Sequence, residues 1–175
     1  METIRLPPAL GRAHERVYMA QFANVRNGAA LKDALIAASK TPENSDERRR
    51  MDYAFVDARL ILSRQQLLTA VIEALVASER IRGDAPVGFK TPSIHSEILW
   101  TLNPNNNIAD ALRRFGVAKD TSTLLLVHVA SAPPTGPDPV ALVAAMDELV
   151  DGDLVTSGIA LPGDAELASA SAANF

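Results

Sequence analysis

The residues of this chain that could do chemistry are few, and most are spaced wrongly for it. Gly83 to Thr91 reads G-D-A-P-V-G-F-K-T, one inserted Phe89 away from a phosphate-binding loop. In such a loop the lysine directly follows the last glycine, and the loop leaves a strand and opens a helix. Here the stretch follows a helical pattern and runs into Pro92, so a connection that positions Lys90 is expected instead of a nucleotide site. His14, His95 and His128 fall on three different elements, without the H-x-x-x-H or H-E-x-x-H spacing that puts two imidazoles on one helix face. His95 is expected on the solvated face of its helix, and His128, in an apolar strand, as a hydrogen-bonded interior histidine. Asp147 and Glu148 read as solvated charges. The sequence holds neither a G-x-S-x-G elbow nor a cysteine nucleophile, which lowers the expectation of a hydrolase without closing it. No metal site, cofactor or catalytic residue is assigned.

The basic residues leave two readings open. Arg48, Arg49 and Arg50 follow Glu43, Asp46 and Glu47, so that segment is nearly neutral and solvated. Arg80, Arg82 and Lys90 bracket a loop and could share an edge with Asn105 and Asn106. As ordinary surface charges they complement helix C-termini. As a functional set the cations would hold phosphate and the asparagines would hydrogen-bond the bases of a single-stranded RNA end. Arg113 and Arg114 form the alternative patch.

Composition bounds what these groups can belong to. The chain has 175 residues, 47% of them apolar and 22% charged, enough for one core and one domain. A formal net charge of -4 argues against general nucleic-acid binding, so any RNA contact must be local. The absence of cysteine excludes disulfides and thiolate chemistry and fits a reducing compartment. Pro7 and Pro8 interrupt the N-terminus, and the longest apolar run, Val140 to Met146, is far short of the roughly 18 residues of a membrane helix. A soluble intracellular protein with no membrane partner is the expectation.

The elements that must position these residues follow from periodicity and caps. Arg16 to Phe22 reads as a mostly apolar strand. Asn27 caps a helix to about Ser39, with Leu31, Ala34, Leu35 and Ala38 inward, and Lys40 to Asp52 is a charged exposed loop. Tyr53 to Val56 is a short strand. Ser63 and Gln66 make a capping-box pattern for a helix to about Arg80, striped by Leu67, Leu68, Val71, Ile72, Leu75 and Val76. Ser93 caps a helix carrying Ile94, Ile98, Leu99 and Leu102, which Pro104 helps to end. Asn107 caps the next, with Ile108, Ala111, Leu112 and Phe115 as its stripe and Gly116 as its C-cap. Thr123 to Val129 is a strand covered on both faces. Ala132 to Pro139, with four prolines and a glycine, is a surface connection to a helix from Val140 to about Val150. The fold class expected is α/β (mixed α+β), a single domain with a small central β-sheet packed by several helices, in two or three layers.

The letters say more than the periodicity. The pattern K-T-x-x-x-x-S-E-I from Lys90, followed by L-x-P-N-N-N-I-x-x-A-L-x-x-F-G-V from Leu102, resembles the small non-catalytic subunit of the KEOPS (EKC) complex, the PRPK-binding protein (TPRKB) family, in a fungal-type form. Phe55 to Leu75 is similar to the family's F-x-D-P-R-L-x-x-S block, with Ala58 where proline is usual, and His14 to Ala38 agrees more weakly. The resemblance fades beyond about Asp153. It implies a domain over residues 1–153, with a divergent tail over 154–175 that lacks the family's closing apolar helix; the tail's small residues bury too little area to offset the entropy of ordering, so it is expected to be flexible. It further implies a non-enzymatic subunit that binds the PRPK-type kinase/ATPase, meets the other KEOPS subunits indirectly, and helps recruit tRNA by its acceptor end for threonylcarbamoyladenosine formation beside the anticodon, in nucleus and cytoplasm. On that reading Arg80, Arg82, Lys90, Asn105 and Asn106 are the tRNA candidates. Leu67, Val71 and the lone Trp100 are the kinase-docking candidates, tryptophan being enriched at binding hot spots. A stand-alone small-molecule-binding or hydrolytic α/β enzyme and a pure protein adaptor without RNA contact are the alternatives.

Overall fold

The segment Leu124 to Ala130, LLLVHVA, hydrogen-bonds along both of its edges, and this lets it be apolar on both faces. It is the centre of the computed structural model, which describes residues 1–7, 15–78, 81–82, 85–86, 88–105 and 107–164. In chain order the elements are β1 (Glu2–Arg5), β2 (Arg16–Ala23), α1 (Gly28–Ala38), α2 (Asp46–Arg50), β3 (Ala54–Asp57), a 3-10 turn (Ala58–Leu60), α3 (Arg64–Ser78), β4 (Ile81–Arg82), β5 (Ala85–Pro86), α4 (Ile94–Thr101), α5 (Ile108–Phe115), β6 (Leu124–Ala130), α6 (Pro139–Leu149) and β7 (Asp153–Leu154).

The main sheet is antiparallel, in the order β1-β2-β6-β3. β7 adds to β2 beyond the end of β1, pairing Phe22 with Leu154. Because side chains alternate along a strand, β2, β3 and β6 supply two cores. Val17, Met19, Val56, Leu125 and Val127 face α3 and α4, while Tyr18, Phe22, Phe55, Leu124 and Leu126 face α1 and α6. The domain is a three-layered α/β sandwich of the expected class. Thr101 Oγ1 donates to Ala70 O at 3.0 Å and ties α4 to α3 inside one layer.

Local chemistry departs from expectation at several points. Asn27 stands at the N-cap of α1 but makes no cap bond; its amide instead donates to Leu149 O and accepts from Asp151 N, pinning the end of α6 to the start of α1. Ala34 is exposed, so the buried stripe of α1 is narrower than its apolar sequence suggests. The charged loop contains α2, capped by Ser45 and ordered by charge: Asp46 and Glu47 lie at its N-terminus and three arginines at its C-terminus. Gln66 N donates to Ser63 Oγ, whereas Gln66 Oε1 reaches one residue further than a capping box requires, to Leu62 N. Gly116 ends α5 with an ordinary negative φ. It is glycine for closeness, because a Cβ there would lie 2.5 Å from Leu112 O.

Packing continues past Asp153. The Gln21 amide pairs both ways with the backbone of Ala160, Leu161 is buried in the core, and Asp164 Oδ1 accepts from Arg64 N at the start of α3. Residues 154–164 are thereby strapped across the sheet edge; the tail expectation from Ala165 onward lies outside the described residues, as do His14, Arg80 and Asn106. Among the described residues no helix is long and apolar enough to cross a membrane.

Candidate functional site

β3 begins at Ala54, opposite Val127, so the N–H of Val129 extends past the end of its neighbour. His95, on α4, fills the gap: Nε2 accepts from Val129 N at 3.1 Å. A nitrogen that accepts carries no proton, so the proton sits on Nδ1, where it is donated to Asp52 Oδ1 at 2.8 Å. His128, stacked on His95 with ring centroids 5.1 Å apart, donates from Nδ1 to Asp52 O at 2.8 Å. Burial, and then the neighbouring His95, push His128 below the ordinary 6.5 despite Asp52. Burial alone would raise the Asp52 carboxyl, but the His95 hydrogen bond, the two neighbouring imidazoles and the Arg48 charge outweigh it and hold it low.

His95 is therefore buried, not solvated, and two of the three histidines separated in sequence meet in space. Together with Asp52 they offer ligand atoms within 4.8 Å of one another, the donor set of a transition-metal site. The hydrogen bonds argue against one: Nε2 of His95 serves Val129 and Nδ1 holds its proton for Asp52, leaving no lone pair for a cation. The same accounting removes His95 as a general base.

Asp52 and His95 also line a groove of about 580 Å³ between α1, α2, α4 and α5. Its walls are largely apolar, and Ile36, Ile108 and Leu112 remain 46%, 37% and 47% exposed at its margin. Its charged side chains are Lys32, Arg48 and Asp52.

A second cluster explains the K-T-x-x-x-x-S-E spacing. Glu97, buried on the first turn of α4, accepts on Oε2 from Lys90 N at 3.1 Å, Thr91 N at 3.0 Å and Thr91 Oγ1 at 2.7 Å. Ser93 and Ser96 cap the helix reciprocally. The chain before α4 is thus latched to the helix, and the Lys90 ammonium lies 4.7 Å from the centroid of half-buried Trp100. Lys90 and Trp100, assigned from sequence to different partners, occupy one surface.

The other candidates are placed variously. Leu67 and Val71 are fully buried in the core and cannot meet a partner; the correction follows from α4 packing on that side of α3, which leaves Ile72 and Val76 as its exposed apolar residues. Asn105 is exposed, with its amide 3.5 Å from Asp110 Oδ2. Arg82 belongs to the β4–β5 hairpin, its side chain lying outside the description. Asn107 caps α5 through Asp110 N at 3.2 Å. Arg113 is paired with Asp110, and Arg114 lies over Phe115, so the alternative basic patch is partly neutralised. In the F-V-D-A-R-L block, Arg59 grips Asp57 through Nε and a terminal nitrogen and also reaches Asp120, while Thr121 donates to Asp57. That block is a structural clasp. The groove and the His95–Val129 contact escaped the sequence reading because their residues come from segments tens of positions apart; the solitary His95 on an apolar helix was the one available signal.

Comparison with known proteins returns a consistent answer. Residues 22–161 match the sequence model of a family described as kinase binding protein CGI-121. The chain is 37% identical over 147 residues to the EKC/KEOPS complex subunit CGI121 of Gibberella zeae, covering 82% of this chain and 67% of the relative. It is 29% identical over 184 residues to that of Cryptococcus neoformans, covering 89% and 79%, and 35% identical over 133 residues to that of Aspergillus fumigatus, covering 76% and 61%. The match runs to residue 161, past the point where the motifs fade, in accord with the packed strap.

Proposed function

This chain belongs to the CGI-121 family of kinase-binding proteins, and on that premise we propose that it is a non-catalytic accessory subunit of a KEOPS-type complex, which docks a PRPK-type kinase/ATPase and helps bring tRNA to it for threonylcarbamoyladenosine formation. The observation that carries the reading is the family match across residues 22–161, which takes in β6, α4 and α5 together with the latch and the groove. A hydrolytic role finds no support in the histidine cluster, whose central member has both nitrogens engaged.

The RNA part of the proposal rests on Lys90 and Trp100. A cation beside a half-exposed indole suits an unpaired nucleotide, the base stacking on the ring and the phosphate meeting the ammonium. The latch through Glu97 holds Lys90 where that pairing needs it. With an overall negative charge, such a contact is confined to this patch. The test is salt-dependent retention of tRNA by the purified kinase complex with and without this chain. Added retention that falls with salt supports recruitment, and no added retention reduces the protein to a kinase adaptor.

A further inference from the structure

We infer that the groove between α1, α2, α4 and α5 is the kinase-docking surface, and that it receives a segment presenting apolar side chains on one face with a carboxylate at its edge. The inference rests on the kinase-binding reading above and adds to it the place and the chemistry of the contact.

Shape comes first. A volume of about 580 Å³ lies within the roughly 300–1,000 Å³ typical of formed binding pockets. An amphipathic helix laid in such a groove inserts anchors at i, i+3 or i+4, and i+7. Ile36 stands on one wall, with Ile108 and Leu112 on α5 also at the margin, and each keeps over a third of its surface in water. Apolar side chains clustered around a concavity are the pattern of an interaction site, unlike singly scattered ones.

Charge selects the occupant. The carboxylate of the groove, Asp52, gives one oxygen to His95 and lies in the field of Arg48, with its side chain 54% exposed. Lys32 has no ion-pair partner among the described residues, while Arg48 gives one N–H to Thr41 O and its charge also acts on Asp52. The groove thus carries two cations against one carboxylate, and Lys32 is the cation that an incoming carboxylate finds without an ion-pair partner. Competing with this groove is the outer face of α3, where Ile72 and Val76 are also exposed.

The experiment is titration of the full chain with its cognate PRPK-type kinase by calorimetry, using Ile36→Glu/Leu112→Glu for the groove and Ile72→Glu/Val76→Glu for the α3 face. Circular dichroism checks that each is folded. Loss of affinity by about 30-fold or more in the groove variant, with the α3 variant near wild type, supports the inference. The reverse pattern overturns it while leaving kinase binding intact. Lys32→Glu guards against a groove variant that fails to fold, since its side chain is exposed: a weaker complex with a shallower salt dependence supports the charged rim, and unchanged binding contradicts it. Should wild-type protein not bind the kinase at all, the underlying functional reading fails, and this assignment with it.

Discussion

His95 Nε2 holds the N–H of Val129 at 3.1 Å, two residues beyond the point where β3 stops pairing with β6. A side chain from α4 thus completes the hydrogen bonding of the central strand, and through Nδ1 it also fixes Asp52 at the edge of the groove. Replacing His95 with alanine leaves a buried donor unpaired, a defect that costs about 1–3 kcal/mol, and opens a cavity besides. Urea denaturation is expected to show a loss of about 2–4 kcal/mol on that basis; a loss under 0.5 kcal/mol would show that the contact is dispensable.

Stability should depend on pH through His128. Its folded pKa lies below the ordinary 6.5, from burial and then from His95, so the unfolded chain binds the proton more readily than the folded one. The stabilisation is complete above about pH 6.5 and is lost as pH falls through that value toward the lower folded pKa. Asp52, also lowered, adds a loss only below its unfolded 3.8. Denaturation midpoints measured from pH 8 to pH 5 should decline for wild type and flatten in His128→Asn. Equal slopes in the two proteins would assign the decline to other groups.

Glu97 organises the loop before α4 with one oxygen accepting three donors. Glu97→Ala should cost about 2–3 kcal/mol, in the range of hydrogen bonds to a buried charge, and should release Lys90 from the indole. Trp100 is the single tryptophan of the chain, so its fluorescence reports that release directly. Unchanged emission together with unchanged stability would show that the latch does not hold the loop.

Charge reversal of Lys90 and Arg82 to glutamate should weaken tRNA binding, with the salt slope falling by about one per lost phosphate contact, while kinase binding stays near wild type. Trp100→Ala should weaken it further where stacking contributes, by about 1–3 kcal/mol per base. Removing the tRNA 3′ end should abolish the difference between variant and parent. If the variants retain tRNA as the parent does, this patch is not the RNA site.

What the sequence disclosed divides along the range of the forces involved. Ser93, Asn107 and Gly116 mark helix ends through contacts within four residues, and the strand at Leu124–Ala130 announces its double burial by its own composition. Even α2 was written in its letters, with Ser45 before two acids and three arginines, though the density of charge there reads first as a solvated loop. Long-range relations were not legible. Leu67 and Val71 belong to the same apolar stripe as Ile72 and Val76, and only the placement of α4 decides which side is covered. His95 and Asp52 are 43 positions apart, and no spacing rule joins them. The tail shows the same division: its small residues suggest little burial, yet Gln21, far up the chain, binds the backbone of Ala160 on both sides.

The central claim, that this chain is the kinase-docking subunit of its complex, is tested most directly by size-exclusion chromatography with light scattering on a mixture with the cognate PRPK-type kinase. Co-elution as a stable heterodimer at micromolar concentration is the result predicted. Two independent peaks, each at its own monomer mass, would contradict it.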